Sequence, residues 1–210
     1  MKKISVVIAL CVFAFVSANA QYGRMYRYRR YPPRHQAISY FKPFVSLSLG
    51  YGFPNLDKDQ LVWFNNFYQG SISQTGPIHG SIDYQFSPRA SVGVMASYGK
   101  VSAPYYDYNG SGTVPAINSS LENWSVMLNL VRYMPVSRVV NPYLRTAIGV
   151  NVWNQNYYDQ TGDRIPVEEP SMLAYQVSLG AKFHLNETSS LFIEAGYGKY
   201  ILSAGLAFKL

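Results

Sequence analysis

FVSLSLGYGF, residues 44–53, places Val45, Leu47, Leu49, Tyr51 and Phe53 on one set of alternate positions and Phe44, Ser46, Ser48, Gly50 and Gly52 on the other. Side chains on a strand point to opposite faces with a period of two, so this stretch has one apolar face and one small or polar face. Similar alternation recurs over residues 80–86, 92–99, 124–130, 144–152, 173–184, 191–198 and 202–210. That makes eight strands, and beyond residue 38 no helical period competes with them.

What the second face contains decides where the first face points. In a soluble sandwich or lipocalin-like barrel the apolar face turns inward and the outer face is charged. Here the second face is Ser125, Met127 and Asn129, or Gln176, Ser178 and Gly180, and charged residues make up only 14% of the chain. Such residues suit a narrow barrel interior, with the apolar face turned to lipid. Long connections over 54–76, 101–119 and 154–170 alternate with short ones at 87–90, 134–141 and 186–190, and a tight turn lies at 198–200. Long loops on one rim and short turns on the other are the pattern of a transmembrane barrel. On the apolar face Phe41, Tyr84, Phe86, Phe183 and Phe208 fall near the short-turn rim, and Tyr51, Phe53, Tyr98, Trp124, Tyr175 and Tyr197 near the other. Two aromatic girdles around an aliphatic band are expected where strands cross a bilayer. The fold class is all-β: an eight-stranded antiparallel up-and-down transmembrane β-barrel over 39–210.

Residues 1–20 read as a secretory signal, with Lys2 and Lys3 ahead of the largely apolar stretch Ile4–Val16 and a small-x-small site at Ala18-Asn19-Ala20. Cys11 is the only cysteine and lies inside this segment, so a mature chain beginning at Gln21 has no disulfide, thiolate nucleophile or cysteine ligand. Loss of Lys2 and Lys3 lowers the formal charge from +7 to +5, and Arg24, Arg27, Arg29, Arg30 and Arg34 in the tail 21–38 match that excess. In a cytosolic protein, arginine interleaved with tyrosine would suggest nucleic acid. Export to the periplasm removes that partner and leaves phospholipid headgroups, peptidoglycan carboxylates or acidic protein patches; a solvated leader is the plain alternative.

The C-terminal SAGLAFKL, with Ser203, Gly205, Phe208 and Leu210, resembles the assembly signal of bacterial outer-membrane barrels, although Leu210 stands where that pattern usually has Phe. From about residue 39 onward the chain resembles small eight-stranded barrels of the OmpA/OmpX type. The resemblance implies insertion in the outer membrane of a Gram-negative cell, with outer-membrane lipids and the barrel-assembly machinery as partners. Function in this family varies widely.

Some such barrels modify lipid A with a Ser, a His and an acidic partner. The best pair here is His79 with Ser81 on the same strand face, which points into the barrel and away from a lipid substrate. Catalysis is therefore not expected. An eight-stranded interior is filled by side chains, so an open pore is not expected either, and a narrow channel is the alternative. Asp83, Arg145, Lys182, Glu194 and Lys209 face inward near the periplasmic end and are expected to form a salt-bridge plug, with Lys182 and Glu194 as its best pair. Asp57, Asp59, Glu168 and Glu169 read as solvated loop carboxylates without the spacing of a calcium loop. No cofactor or metal is expected. Trp63, Phe64, Phe67, Tyr105, Tyr106, Tyr157 and Tyr158 in the long loops are the expected contacts for an envelope protein or a surface partner, with packing within the loops as the alternative. The reading is a non-enzymatic envelope structural or interaction component; a lipid-modifying enzyme comes second.

Overall fold

The computed structural model of the chain describes residues 41–108, 114–134 and 139–210; the signal segment and the arginine-rich tail lie outside the described residues. Within the compact unit Phe41–Leu210 the strands are β1 (Phe44–Asn55), β2 (Phe67–Gln69), β3 (Ser73–Ser87), β4 (Ala90–Asp107), β5 (Ile117–Tyr133), β6 (Val140–Asp159), β7 (Leu173–His184), β8 (Ser189–Tyr197) and β9 (Tyr200–Lys209). Apart from β2, each pairs antiparallel with the next, and β9 returns to β1 with Leu47 opposite Phe208 and Gly50 opposite Gly205. Eight strands therefore close into an up-and-down barrel that leaves no edge unpaired in the membrane. The short β2 continues the β3 side of β4, with Phe67 opposite Asp107.

The barrel is inverted relative to a soluble protein. Leu49, Leu128, Ile148 and Leu179 point outward and are 61–68% exposed, whereas Ser125, Asn129, Gln176 and Ser178 are buried in the interior. Outer-girdle residues meet across strands: the Tyr98 and Trp124 rings are 4.7 Å apart, and Tyr175 and Tyr197 are 6.3 Å apart.

The expected long loops are largely strand. β8 and β9 have nine and ten residues, the length that crosses a bilayer at a tilt. β4, β5 and β6 have 18, 17 and 20 residues and run on past the outer girdle. There they pair continuously, from Tyr98 opposite Trp124 to Tyr105 opposite Ile117, and to Ile117 opposite Asp159. Much of 101–119 and the start of 154–170 therefore form a three-stranded wall standing above the barrel rim. Opposite the wall the barrel is low, because β8 and β9 turn back through Gly198 and Lys199. Gly198 has φ of +140°, and a Cβ there would lie 2.1 Å from the Tyr175 carbonyl oxygen.

Candidate functional site

Two polar layers fill the barrel. The inner one is built on Glu194 of β8. Its carboxylate oxygen Oε1 lies 3.0 Å from Arg145 Nε on β6, with both side chains buried. The Nε–H is not directed along that line, so the contact is an ion pair without a well-aligned hydrogen bond. Tyr143 donates its hydroxyl to Oε1 at 2.6 Å, and Tyr200 and Ser178 donate theirs to Oε2 at 2.6 and 3.1 Å. β7 lies between β6 and β8 and presents only Ser178 and Gly180 at this level, so Arg145 and Tyr143 reach past it. A Cβ at Gly180 would come within 2.5 Å of the Tyr143 ring. A buried ion pair offsets its desolvation only when further hydrogen bonds satisfy its lone pairs, and three hydroxyls do so here.

The outer layer closes the opposite end. Asn55 accepts the Asp57 N–H at 3.0 Å and starts a 3-10 turn, Leu56–Gln60, that dips into the mouth. Asp57 is 6% exposed; Lys199 Nζ donates to its Oδ1 at 2.7 Å and to Asn151 Oδ1 at 3.0 Å. Asn123 donates to Asp57 Oδ2 at 3.1 Å, and Lys199 Nζ lies 5.3 Å from the Trp153 ring centroid. The Asp57–Lys199 pair was not anticipated: a carboxylate in an Asn- and Asp-rich connection reads as solvated, and only the turn's descent buries it.

The expected pairing of Lys182 with Glu194 does not occur. Lys182 donates instead to the Tyr133 hydroxyl at 3.1 Å and lies over the Tyr133 and Tyr143 rings. Asp83 accepts from Asn129 and Ser81, both at 2.6 Å. Lys209 is exposed at the mouth, 4.4 Å from the Phe44 ring centroid. His79 does not pair with Ser81, whose hydroxyl goes to Asp83; its Nε2 lies 2.6 Å from Ser203 Oγ, and its ring stacks on Tyr200 at 4.8 Å. No hydrogen bond reaches His79 Nδ1, so no third group orients the ring as a catalytic base requires. Of the C-terminal residues, Ser203 faces in and Phe208 and Leu210 face out. Among the described residues no group of three His, Cys, Asp or Glu is arranged to hold a metal ion.

Above the membrane the expected aromatic contacts divide into two sets. Tyr105 and Tyr157 are buried on the inner face of the wall with Ala103 and Ile117, where Phe64 and Phe67 pack against them. Tyr105 donates to the Val62 carbonyl at 2.6 Å, while the Val62 N–H donates to the Tyr157 hydroxyl at 3.3 Å. Phe64 lies 5.1 Å from the Tyr105 ring and 6.1 Å from Tyr157. These four rings clamp the first connection to the wall. Trp63, 77% exposed, and Tyr158, 42% exposed, remain outward. Tyr106 is half-buried against Tyr68, stacked at 5.2 Å, with Tyr108 packed on Tyr68 at 5.4 Å. Tyr68 and Tyr108 were the members of this outward patch missed from the sequence.

A closed barrel with a lipid-facing exterior, a filled interior and an unequal rim now has a family to be compared with. The family model described as "Outer membrane protein beta-barrel domain" matches residues 8–207. The chain belongs to that family. Among solved structures this outer-membrane barrel is similar to Ail, the attachment invasion locus protein of Yersinia pestis, at 14% identity with a TM-score of 0.44, covering 80% of this chain and 97% of that one. Ail in complex with the heparin analogue sucrose octasulfate aligns at 13% and 0.42, with the same coverage. OprG from Pseudomonas aeruginosa aligns at 10% identity with a TM-score of 0.38, covering 80% of this chain and 95% of that one. No curated protein matches the outer-membrane barrel significantly.

Proposed function

We propose that this outer-membrane barrel is a closed, non-catalytic scaffold whose working surface is the extracellular wall. The observation that carries the proposal is the contrast between its two ends of chemistry. The lumen is closed by two buried ion pairs, Arg145–Glu194 and Lys199–Asp57, while β4, β5 and β6 continue beyond the girdle and hold Trp63, Tyr68, Tyr106, Tyr108 and Tyr158 toward solvent. Aromatic side chains on a rigid support are favoured anchors for a protein or glycan partner. The acidic connections and the basic tail, delivered by a cleaved export signal, would divide the molecule into an acidic outer face and a basic periplasmic one. Arg24, Arg27, Arg29, Arg30 and Arg34 would then meet an anionic envelope component. Ser203, Gly205, Phe208 and Leu210 would be read by the barrel-assembly machinery during insertion.

The burial of His79, with no hydrogen bond at its Nδ1 to orient the ring as a base, supports a non-catalytic role. Photo-crosslinkers at Trp63, Tyr108 and, as a lipid-facing control, Tyr84 test the surface in intact cells, alongside a deletion of residues 21–35. A discrete adduct from Trp63 or Tyr108 but not Tyr84 is expected. Adducts from none of the loop positions, or a change in lipid A mass on expression, would overturn the proposal.

A further inference from the structure

At the periplasmic mouth a cavity of about 80 Å³ lies beneath the inner polar layer, lined by Ser46, Asn141, Lys182, Ser190 and Lys209 among others. We infer that this cavity is a binding site for a single oxyanion of the phosphate class, held between the Lys182 and Lys209 ammonium groups.

The first argument is charge. Lys182 is only 8% exposed, yet among the described residues no carboxylate comes within ion-pairing distance of it or of Lys209. All 11 Asp and Glu residues of the chain lie among the described residues, so no further side-chain carboxylate is left to supply the partner. Asp83 and Glu194 are engaged elsewhere, and Glu187, which also lines the cavity, is exposed. A buried ammonium whose partners among the described residues are the Tyr133 hydroxyl at 3.1 Å and two ring faces keeps donor capacity for a ligand.

The second argument is the set of neutral donors. Ser190 Oγ lies 2.8 Å from His184 Nδ1, and Asn141 Nδ2 lies 2.9 Å from Nε2. In the His184 tautomer that carries its proton on Nδ1, Ser190 accepts from the ring. The Ser190 hydroxyl proton is then left to donate into the cavity. Two ammonium groups plus the Ser190 hydroxyl match a tetrahedral oxyanion rather than a cation or a neutral solute. Phe208 forms part of the wall and points to the lipid side, so the same phosphate chemistry can arrive free in solution or on a phospholipid headgroup of the periplasmic leaflet.

Calorimetry with inorganic phosphate on the full-length protein in an uncharged maltoside micelle tests the free anion. Native mass spectrometry from phosphatidylglycerol nanodiscs tests the headgroup, with correct assembly checked by heat-modifiable gel mobility. Saturable binding of one phosphate, or retention of one lipid, is expected in the wild type. Lys182→Met should weaken it roughly tenfold and Lys209→Gln by a smaller factor, the scale of losing one charge-assisted contact. Binding of phosphate alone supports the site and assigns the free anion; retention of lipid alone supports it and assigns the headgroup. If Lys182→Met does not assemble, Lys209→Gln and Lys182→Arg are compared, and loss in the first with retention in the second is the supporting result. Absence of both ligands from the wild type, or equal binding in wild type and charge-removing variants, overturns the inference.

Discussion

Glu194 is the residue on which the interior depends, because it gathers a guanidinium and three hydroxyls from β6, β7 and β9. Replacing it with alanine leaves the Arg145 guanidinium buried without a counter-ion. A loss of about 3–5 kcal/mol is expected, read from equilibrium urea unfolding in lipid vesicles. Arg145→Met combined with Glu194→Leu should lose much less, since it removes both charges and keeps the volume filled. The sequence placed both residues in the lumen, because strand phase assigns a face. Phase does not say which neighbours are short enough to be reached across, so it favours Lys182 on the adjacent strand, whereas Ser178 and Gly180 open the way for Arg145. At the outer surface, Asp159 takes hydrogen bonds from the Thr161 hydroxyl and from the Thr161 and Asp163 amides, at 2.7, 2.9 and 2.8 Å. These bonds, the Thr161 hydroxyl first, hold its carboxyl below the usual carboxylate range. A depressed carboxylate contributes stability that is present above its ordinary value of about 3.9 and lost as pH falls through its folded value. The Thr161 and Asp163 amide resonances should therefore shift at a lower pH than an ordinary aspartate would make them, and Asp159→Ala should abolish that low-pH transition.

At the scale of the element, the instructive feature is a change of hydrophobic phase within one strand. Along β4, Val92, Val94, Ala96 and Tyr98 point outward to lipid, but Val101, Ala103 and Tyr105 point inward. The register of β4 against β5 runs on without a break, so the strand has not slipped. Its solvent has changed: lipid selects apolar residues on the outer face, and water above the membrane selects them on the inner face. A period-two reading loses its phase at this crossing, which is why 101–107 reads as a loop although it continues the strand. The same reversal hid the burial of Tyr105 and Tyr157. Phe64→Ala removes the ring wedged between them, at a cost of about 2–3 kcal/mol for a part-buried aromatic. Limited proteolysis should then cut within 61–69 faster than in the wild type, with the barrel itself intact. Burial, with the Tyr157 phenol beside it, pushes Tyr105 up to about 12. The clamp should therefore hold in full below about pH 10, the ordinary tyrosine value, and loosen as pH rises toward 12. Tyr105→Phe should remove one late-ionising phenol from the ultraviolet titration.

For the whole molecule, strand count and girdles were legible because a bilayer imposes length and alternation on every strand, whereas the two plugs were only half legible. They depend on how side chains from non-adjacent strands meet across a narrow interior, and the outer plug also depends on a turn entering the mouth from above. Their arrangement in series sets what the barrel can conduct. Through the inner layer an ion must pass Arg145, Glu194, Tyr143 and Tyr200, all at most 3% exposed; through the outer layer it must displace Asp57 from Lys199. Eight strands leave an interior about the size of its side chains, so emptying one layer still leaves the other closed. Planar-bilayer recordings should show no steady unit conductance for the wild type. The same silence is expected for Asp57→Ala alone and for Tyr143→Ala with Tyr200→Ala alone. The triple variant should open a small conductance, because it clears both layers while Arg145 and Glu194 keep each other's charge. A steady wild-type conductance, or one produced by removing a single layer, would mean that the layers do not seal independently and that the barrel works as a narrow channel.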